Sequence, residues 1–285
     1  MKTLVVVSVY KETPSFEFLE FWESLTTQSF QDFTLCLYID GIITNDLELC
    51  LERLLLSSLF PVKLIRSTNN RGLATALNSM ILWGLCNDYD IFIRADSDDR
   101  FPPYRFHALI TFLVDNPTID AVGSNYRYFG IRQGSSCLPI KHNEIKSRFS
   151  YALAIGHATV AFRRTFFELA GFYEQGFYNR IEDQRLWASA FRNNCKIANI
   201  NQVLYEVRVT QGLLLRRASF SEKTELFSVR ARHILTQFPF TYKFPYLILA
   251  LVSYSFSILL IILVIPIRLF STFTNTFMSG RPNGI

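Results

Sequence analysis

Tyr89-Asp90-Ile91-Phe92-Ile93-Arg94-Ala95-Asp96-Ser97-Asp98-Asp99 is an apolar run that ends in three acids. Ile91, Phe92 and Ile93 read as a buried strand, because a sheet covered on both faces needs apolar side chains pointing both ways. The acids then fall on the loop at the strand's carboxyl end, which is where ligands bind in open α/β sheets. Three crowded carboxylates repel one another and raise each other's pKa, so a cation is expected to offset them. A hard divalent ion such as Mg²⁺ suits these oxygen donors, taking one or two carboxylates together with substrate phosphates. A solvated acidic turn is the plain alternative. An EF-hand loop beginning at Asp96 is excluded, since its sixth and twelfth positions are Phe101 and His107 instead of Gly and Glu.

Working outward, short β-branched runs at 4–9, 34–39, 62–66, 90–94 and 119–124 alternate with helical patterns at 15–27, 46–59, 72–86 and 103–115. This alternation predicts an α/β fold, a mostly parallel sheet sandwiched by helices. From 126 to 215 the pattern is less regular. A helix near 142–153, a strand near 157–162 and a helix near 182–194 are expected there.

Two further loops carry chemistry. Glu182-Asp183 opens a helical pattern, where acids favour the macrodipole and cap the helix. The competing reading is a general base, because a hydroxyl nucleophile must lose its proton as it attacks. Asn69-Asn70-Arg71-Gly72 precedes another helix, where a glycine admits close approach and free N–H groups suit phosphate. Arg71 adds a fixed cation. Without context this is a simple strand-to-helix turn.

The chain of 285 residues is 49% hydrophobic, carries 27 Phe and has a net charge of +5. That charge is too mild to argue for nucleic acid and suits an anionic membrane surface or an anionic small donor. Five scattered cysteines without a C-x-x-C pair point to neither zinc nor a disulfide framework, and to a reducing compartment. Residues 246–265 run uncharged between Pro245 and Pro266, long enough as a helix, about 30 Å, to match a bilayer core. A buried core helix and an in-plane helix are the alternatives. Basic residues weight the N-terminal flank, with Arg216, Arg217, Lys223, Arg230, Arg232 and Lys243 against Arg268 and Arg281 beyond. The positive-inside rule therefore expects a cytoplasmic catalytic domain with a C-terminal anchor.

Taken in order, these motifs resemble the family-2 inverting glycosyltransferases of the GT-A fold, over roughly residues 3–208. The resemblance is carried by Val7-Ser8-Val9-Tyr10-Lys11-Glu12, Asp40-Gly41, Asn70-x-Gly72-x-x-x-Ala76-x-Asn78 and Asp96-x-Asp98. Gly156-His157-x-Thr159, Ala170-Gly171-Phe172-Tyr173 and Glu182-Asp183-x-x-Leu186-Trp187 complete it. It implies that Asp98 ligates Mg²⁺ or Mn²⁺, that Asp96 lies against ribose and metal, and that Asp183 is the catalytic base. On the donor side it implies Val9, Tyr10, Glu12, Asp40 facing the base, Arg71, Gly72, Asn78 and Arg94. On the acceptor side it implies His157, Glu182 and Trp187. Lys11 and Ile42 depart from the family pattern, and the Q-x-x-R-W motif of processive synthases is absent.

The organisation so implied is a catalytic domain at 1–215, with a nucleotide-binding half (1–125) and an acceptor half (126–215). A basic and aromatic juxtamembrane segment (216–245), a membrane-embedded helix (246–265) and a tail (266–285) follow. The implied partners are a nucleotide-sugar donor, a UDP-sugar foremost, a lipid-linked saccharide acceptor and the membrane, with no nucleic acid. The implied place is the cytoplasmic face of the bacterial inner membrane, in lipopolysaccharide or capsule assembly. A catalytically inactive GT-A domain serving membrane-bound assembly is the rival. A sugar nucleotidyltransferase lacks its Gly-rich basic loop, since Tyr10-Lys11-Glu12-Thr13-Pro14 follows the first strand.

Overall fold

The computed structural model describes residues 1–175, 181–211 and 220–278, with 260–278 as backbone alone. Eight strands form one sheet in the order β3-β2-β1-β4-β7-β5-β6, with β8 along the other edge of β5. Strands β1 (Thr3–Val9), β2 (Phe33–Asp40), β3 (Val62–Ser67) and β4 (Ile91–Arg94) are mutually parallel. Helices α1 (Ser15–Thr26), α2 (Asn45–Leu56), α3 (Leu73–Cys86) and α4 (Arg105–Asp115) connect them to one another and to β5 (Ala121–Gly130). The sandwich is visible residue by residue. Val5, Val7, Leu35, Leu37, Ile91 and Ile93 pack into one hydrophobic layer, while Leu4, Val6, Cys36, Tyr38 and Phe92 pack into the other. That alternation is the two-residue period of a strand buried on both sides.

The second half closes the sheet. The expected helix at 142–153 ends earlier, as α5 (His142–Phe149), and the expected strand at 157–162 is a 3₁₀ turn, His157–Thr159, followed by the short strand β7 (Ala161–Arg163). β7 runs antiparallel between β4 and β5, and the two-residue β6 (Gly134–Ser135) pairs farther along β5. Helices α6 (Arg164–Ala170) and α7 (Glu182–Arg192) then cover the second layer. The 13-residue strand β8 (Ile197–Val209), absent from the sequence expectations, runs parallel to β5 through two register shifts at Ser124–Tyr126. Those shifts bend the strand so that its far end passes beneath the loop after β4, where Arg100 and Glu206 bridge.

Beyond it lie α8 (Phe220–Gln237) and α9 (Phe240–Met278). The apolar helix expected over 246–265 therefore starts earlier and runs on, with Pro245 and Pro266 inside it. Arg216, Arg217, Arg281 and the end of the tail lie outside the described residues.

At the carboxyl edge the backbone is packed tightly. Gly41 has φ +87°, and a Cβ there would stand 2.8 Å from the backbone nitrogen of Asn70. A left-handed conformation and a backbone clash both oppose any side chain. Gly41→Ala is expected to destabilise the protein by about 2 kcal/mol. Urea unfolding measures it, and an unchanged midpoint contradicts the packing described.

Candidate active site

The acids after β4 are drawn together: Asp96, Asp98 and Asp99 offer oxygens that all lie within 4.8 Å of one another. Backbone and side chains of β8 hold the loop in that shape. The amide of Asp96 donates to the Tyr205 hydroxyl at 2.8 Å. The Arg208 amide donates to the Asp99 carboxylate at 2.7 Å, and Arg208 Nε donates to the Asp98 carbonyl at 2.8 Å. Burial and the charge of Asp96 push the Asp98 carboxyl up to about 6. Burial, then Asp98 and Asp96, push Asp99 well above the usual carboxylate range. A buried cation, Arg94, pairs with Asp96 from below. Burial and mutual repulsion still keep Asp98 and Asp99 raised beside Arg94, so these hard oxygen donors fit a divalent cation.

Opposite them, α7 begins with Glu182 and Asp183. The Asp183 carboxylate accepts from the amide and the side-chain Nε2 of Gln184, at 2.8 and 3.0 Å. Burial and the neighbouring Asp183 charge raise the Glu182 carboxyl to about 7, with Arg94 and Asp96 also acting on it. The Arg94–Asp96 pair and the start of α7 therefore share one electrostatic environment, at the same end of the sheet. His157 neighbours both, with Arg94 acting on its imidazole and its ring 6.2 Å from that of Trp187 in α7. Its Nε2 lies 2.7 Å from the Tyr173 hydroxyl, and burial, reinforced by Arg94, holds the imidazole well below its ordinary pKa. At neutral pH it is an uncharged hydrogen-bonding group.

On the donor side, Val9 is buried at the end of β1, and the Tyr10 hydroxyl donates to Glu12 at 3.4 Å. A hollow of about 410 Å³ opens at the ends of β2 and β3, lined by Ile39, Gly41, Ile42, Glu48, Arg66 and Ser67. Asp40 beside it accepts from the amides of Arg71 and Gly72, at 2.7 and 2.9 Å. The two N–H groups read from sequence as free for phosphate are thus already engaged, leaving the exposed Arg71 side chain as that turn's contribution.

Two assignments are corrected by burial. Asn78, placed among the donor-binding residues, is 4% exposed, and both ends of its amide are bonded to the backbone of Tyr173, at 2.8 and 3.0 Å. It clamps Tyr173 instead of reaching a ligand. Trp187, placed on the acceptor side, is fully buried and stacks on Phe162 at 5.7 Å. It is core.

The sequence reading missed Tyr205 and Arg208, and it quoted Tyr173 within the Ala170–Tyr173 motif without giving it a role. Leu204-Tyr205-Glu206-Val207-Arg208-Val209 does mix apolar and charged residues as a strand entering a polar site would, and that was the available signal.

Residues 4–166 match Glycosyl transferase family 2. The chain is 32% identical to an uncharacterized glycosyltransferase of Haemophilus influenzae over 81% of its length and 86% of that protein's. It is 28% identical to an Escherichia coli UDP-Gal:alpha-D-GlcNAc-diphosphoundecaprenol beta-1,3-galactosyltransferase, over 81% and 82% of the two lengths. It is 26% identical to the amylovoran biosynthesis glycosyltransferase AmsE of Erwinia amylovora, over 82% and 86% of the two lengths. Among solved structures, S. aureus TarS in complex with UDP-GlcNAc superposes with a TM-score of 0.68 at 18% identity, over 89% of this chain and 72% of that one. Mannosyltransferase PcManGT from Pyrobaculum calidifontis, with GDP-Man and Mn²⁺, gives 0.60 at 18% identity, over 90% and 73%. These last two carry the GT-A-like fold alone.

A cation binds the ionised carboxylates, so protons compete with it. With the Asp98 carboxyl at about 6 and Asp99 raised as well, Mn²⁺ affinity is expected to fall as pH drops through about 6, losing about tenfold per pH unit for each proton taken up. Titration calorimetry between pH 5 and 8 measures this. A flat profile contradicts the assignment of these acids as ligands.

Proposed function

The chain belongs to glycosyl transferase family 2, and from that premise we propose that it moves one sugar from a nucleoside-diphosphate sugar, a UDP-sugar foremost, to a saccharide hydroxyl carried on a membrane lipid, inverting the anomeric centre. The observation that carries this reading is the nearness of two acidic groups to one buried cation, Arg94: it pairs with Asp96 of the crowded loop Asp96–Asp99, and its charge acts on Glu182 beside Asp183.

The division of labour follows from their environments. Asp183 takes the proton of the acceptor hydroxyl as its oxygen bonds to the anomeric carbon, and the bond to the diphosphate breaks on the opposite face. Glu182, with a carboxyl at about 7, both donates and accepts near neutrality and suits a neighbouring sugar hydroxyl. Asp98, with Asp96 and Asp99 beside it, would hold Mg²⁺ or Mn²⁺, which when bound neutralises charge on the leaving diphosphate. Asp40 fixes the Arg71–Gly72 turn beside the hollow that suits the nucleoside base. Tyr10 and Glu12 close that side, and neutral His157 faces the acceptor.

The lipid-linked acceptor is supported by the E. coli relative, whose name specifies a diphosphoundecaprenol-linked saccharide. Surface-polysaccharide synthesis is supported by the amylovoran relative. The long apolar helix α9, with mean hydropathy 1.3 over Phe240–Leu259, supports placement at a membrane.

A panel of nucleotide sugars incubated with the full chain and Mn²⁺, read by nucleoside diphosphate release, is expected to identify one preferred donor. No release with any donor contradicts the activity. Asp183→Asn is expected to lower transfer by at least about 100-fold, within the span attributed to general base catalysis. Donor affinity, measured by calorimetry, stays within about twofold. Normal turnover by this variant removes Asp183 from the role of base.

A further inference from the structure

Helix α9 is inside out. In a helix on the surface of a water-soluble domain, the apolar stripe faces the protein. Here Tyr246, Ala250 and Tyr254 form the inward stripe, with Ser253 and Ser257 beside it. Tyr246 packs on Phe238 at 4.6 Å, Tyr254 packs on Phe227 at 5.1 Å with its hydroxyl 3.3 Å from Thr224, and Ala250 is 2% exposed. The outward stripe is Phe240, Phe244, Ile248, Val252, Phe256 and Leu259, between 46% and 87% exposed. The covered side thus carries tyrosines, serines and an alanine together with the half-buried Leu247 and Ile258, while the fully outward positions are large and apolar, which is the arrangement of a helix solvated by lipid.

The same contacts fix direction. Tyr246 of α9 meets Phe238, just past the end of α8, and Tyr254 meets 224–227 within α8, so the two helices form an antiparallel hairpin. Helix α8 in turn is bound to the acceptor half. Glu225 pairs with Arg185 of α7, Arg230 Nη1 donates to the Tyr151 carbonyl at 3.0 Å, and His233 Nε2 contacts the Lys146 carbonyl at 3.2 Å and packs on Phe191. Contacts advance along α7 and α8 together, from Arg185–Glu225 to Phe191–His233, so the two helices run side by side.

One face of α9 is therefore covered by protein along the stretch that carries the exposed stripe. Sinking that stretch across a bilayer would carry Glu222, Lys223, Glu225, Arg230 and Arg232 of α8 into hydrocarbon, which their charges oppose. We propose that residues 240–259 of α9 lie in the plane of a bilayer with the outward stripe in its acyl boundary, seating the acceptor half on the membrane through the stack α9–α8–α7. At 8–10 Å between packed helices, the axis of α7, which begins with Glu182 and Asp183, stands about 20 Å from that of α9. That height suits a sugar carried outward on a lipid headgroup, so this inference rests on the proposed transfer to a lipid-borne acceptor and specifies its geometry.

The test uses the full chain with the exposed Cys86 and Cys137 changed to Ser, and an environment-sensitive fluorophore on Phe244→Cys, Phe256→Cys or, as a control, Leu56→Cys. On vesicles of phosphatidylethanolamine and phosphatidylglycerol, the labels at 244 and 256 are both expected to shift to the blue and to be quenched by shallow lipid-borne quenchers, while the label at 56 is unchanged. A shift at 256 without one at 244, as for a helix entering end-on, overturns the proposal, and so does a shift at neither. Placing charge on the stripe, Phe244→Glu with Val252→Glu, is expected to lower transfer to a vesicle-borne acceptor at least tenfold, with donor hydrolysis within twofold. Unchanged transfer to that acceptor also overturns it. The label pattern needs no substrate, so failure of the transferase reading registers separately, as absent donor turnover in the unmodified chain.

Discussion

Three carboxylates confined to one partly buried loop at the end of β4 are the constraint around which the rest of the protein is arranged. Left alone, their repulsion would open the loop or keep protons on it. The fold resists the first outcome by bolting the loop to β8, through the Tyr205 hydroxyl, the Arg208 amide and Arg208 Nε. Arg208 is itself held from outside by Glu20 and, at 3.6 Å, by Glu17. Burial first, and the remaining repulsion after it, raise the carboxyls of Asp98 and Asp99. A site that stores repulsion in a fixed shape is prepared for a multivalent cation and for the anionic group that accompanies it.

The two halves of the chain meet at that loop for topological reasons. Strands β1 to β4 put their carboxyl ends, and so Tyr10, Asp40 and Asp96, along one edge. The later strands enter beside β4 in the opposite sense through β7, and the His157–Thr159 turn precedes it, so His157 arrives at the same edge. Arg105 locks this junction from within the core, donating to the carbonyls of Arg94 and Ala158 at 2.6 and 2.9 Å. The buried positive charge of Arg94 is thereby held where it pairs with Asp96 and also acts on Glu182 of α7.

Much of this was legible in the chain. The first five strands and their helices follow from hydrophobic periodicity, because strands buried on both faces leave unmistakable apolar runs. Asp96–Asp99 and Glu182–Asp183 could be singled out as acids at element ends. What remained hidden is long-range. β8 mixes Asn, Gln, Glu and Arg with its apolar residues, since part of it is a sheet edge and part the floor of a polar site, so no single period marks it. Motif matching placed Asn78 and Trp187 in binding roles, but a motif does not distinguish a residue that touches a ligand from one that braces its neighbour. Burial and the double bond of Asn78 to Tyr173 do. For α9, composition identified an apolar helix, but which face is covered depends on α8, and no property of the isolated segment contains that.

The central claim is that the loop after β4 grips a cation bound to the diphosphate of the donor. Anomalous scattering from Mn²⁺, in crystals of the protein grown with a nucleoside diphosphate, tests it most directly. The account predicts one strong peak within about 2.2 Å of a carboxylate oxygen of Asp98 and beside the bound diphosphate, on the side of the loop that faces Asp183. A bound nucleotide with no peak at Asp96–Asp99, or a peak on a surface remote from Asp183, contradicts it.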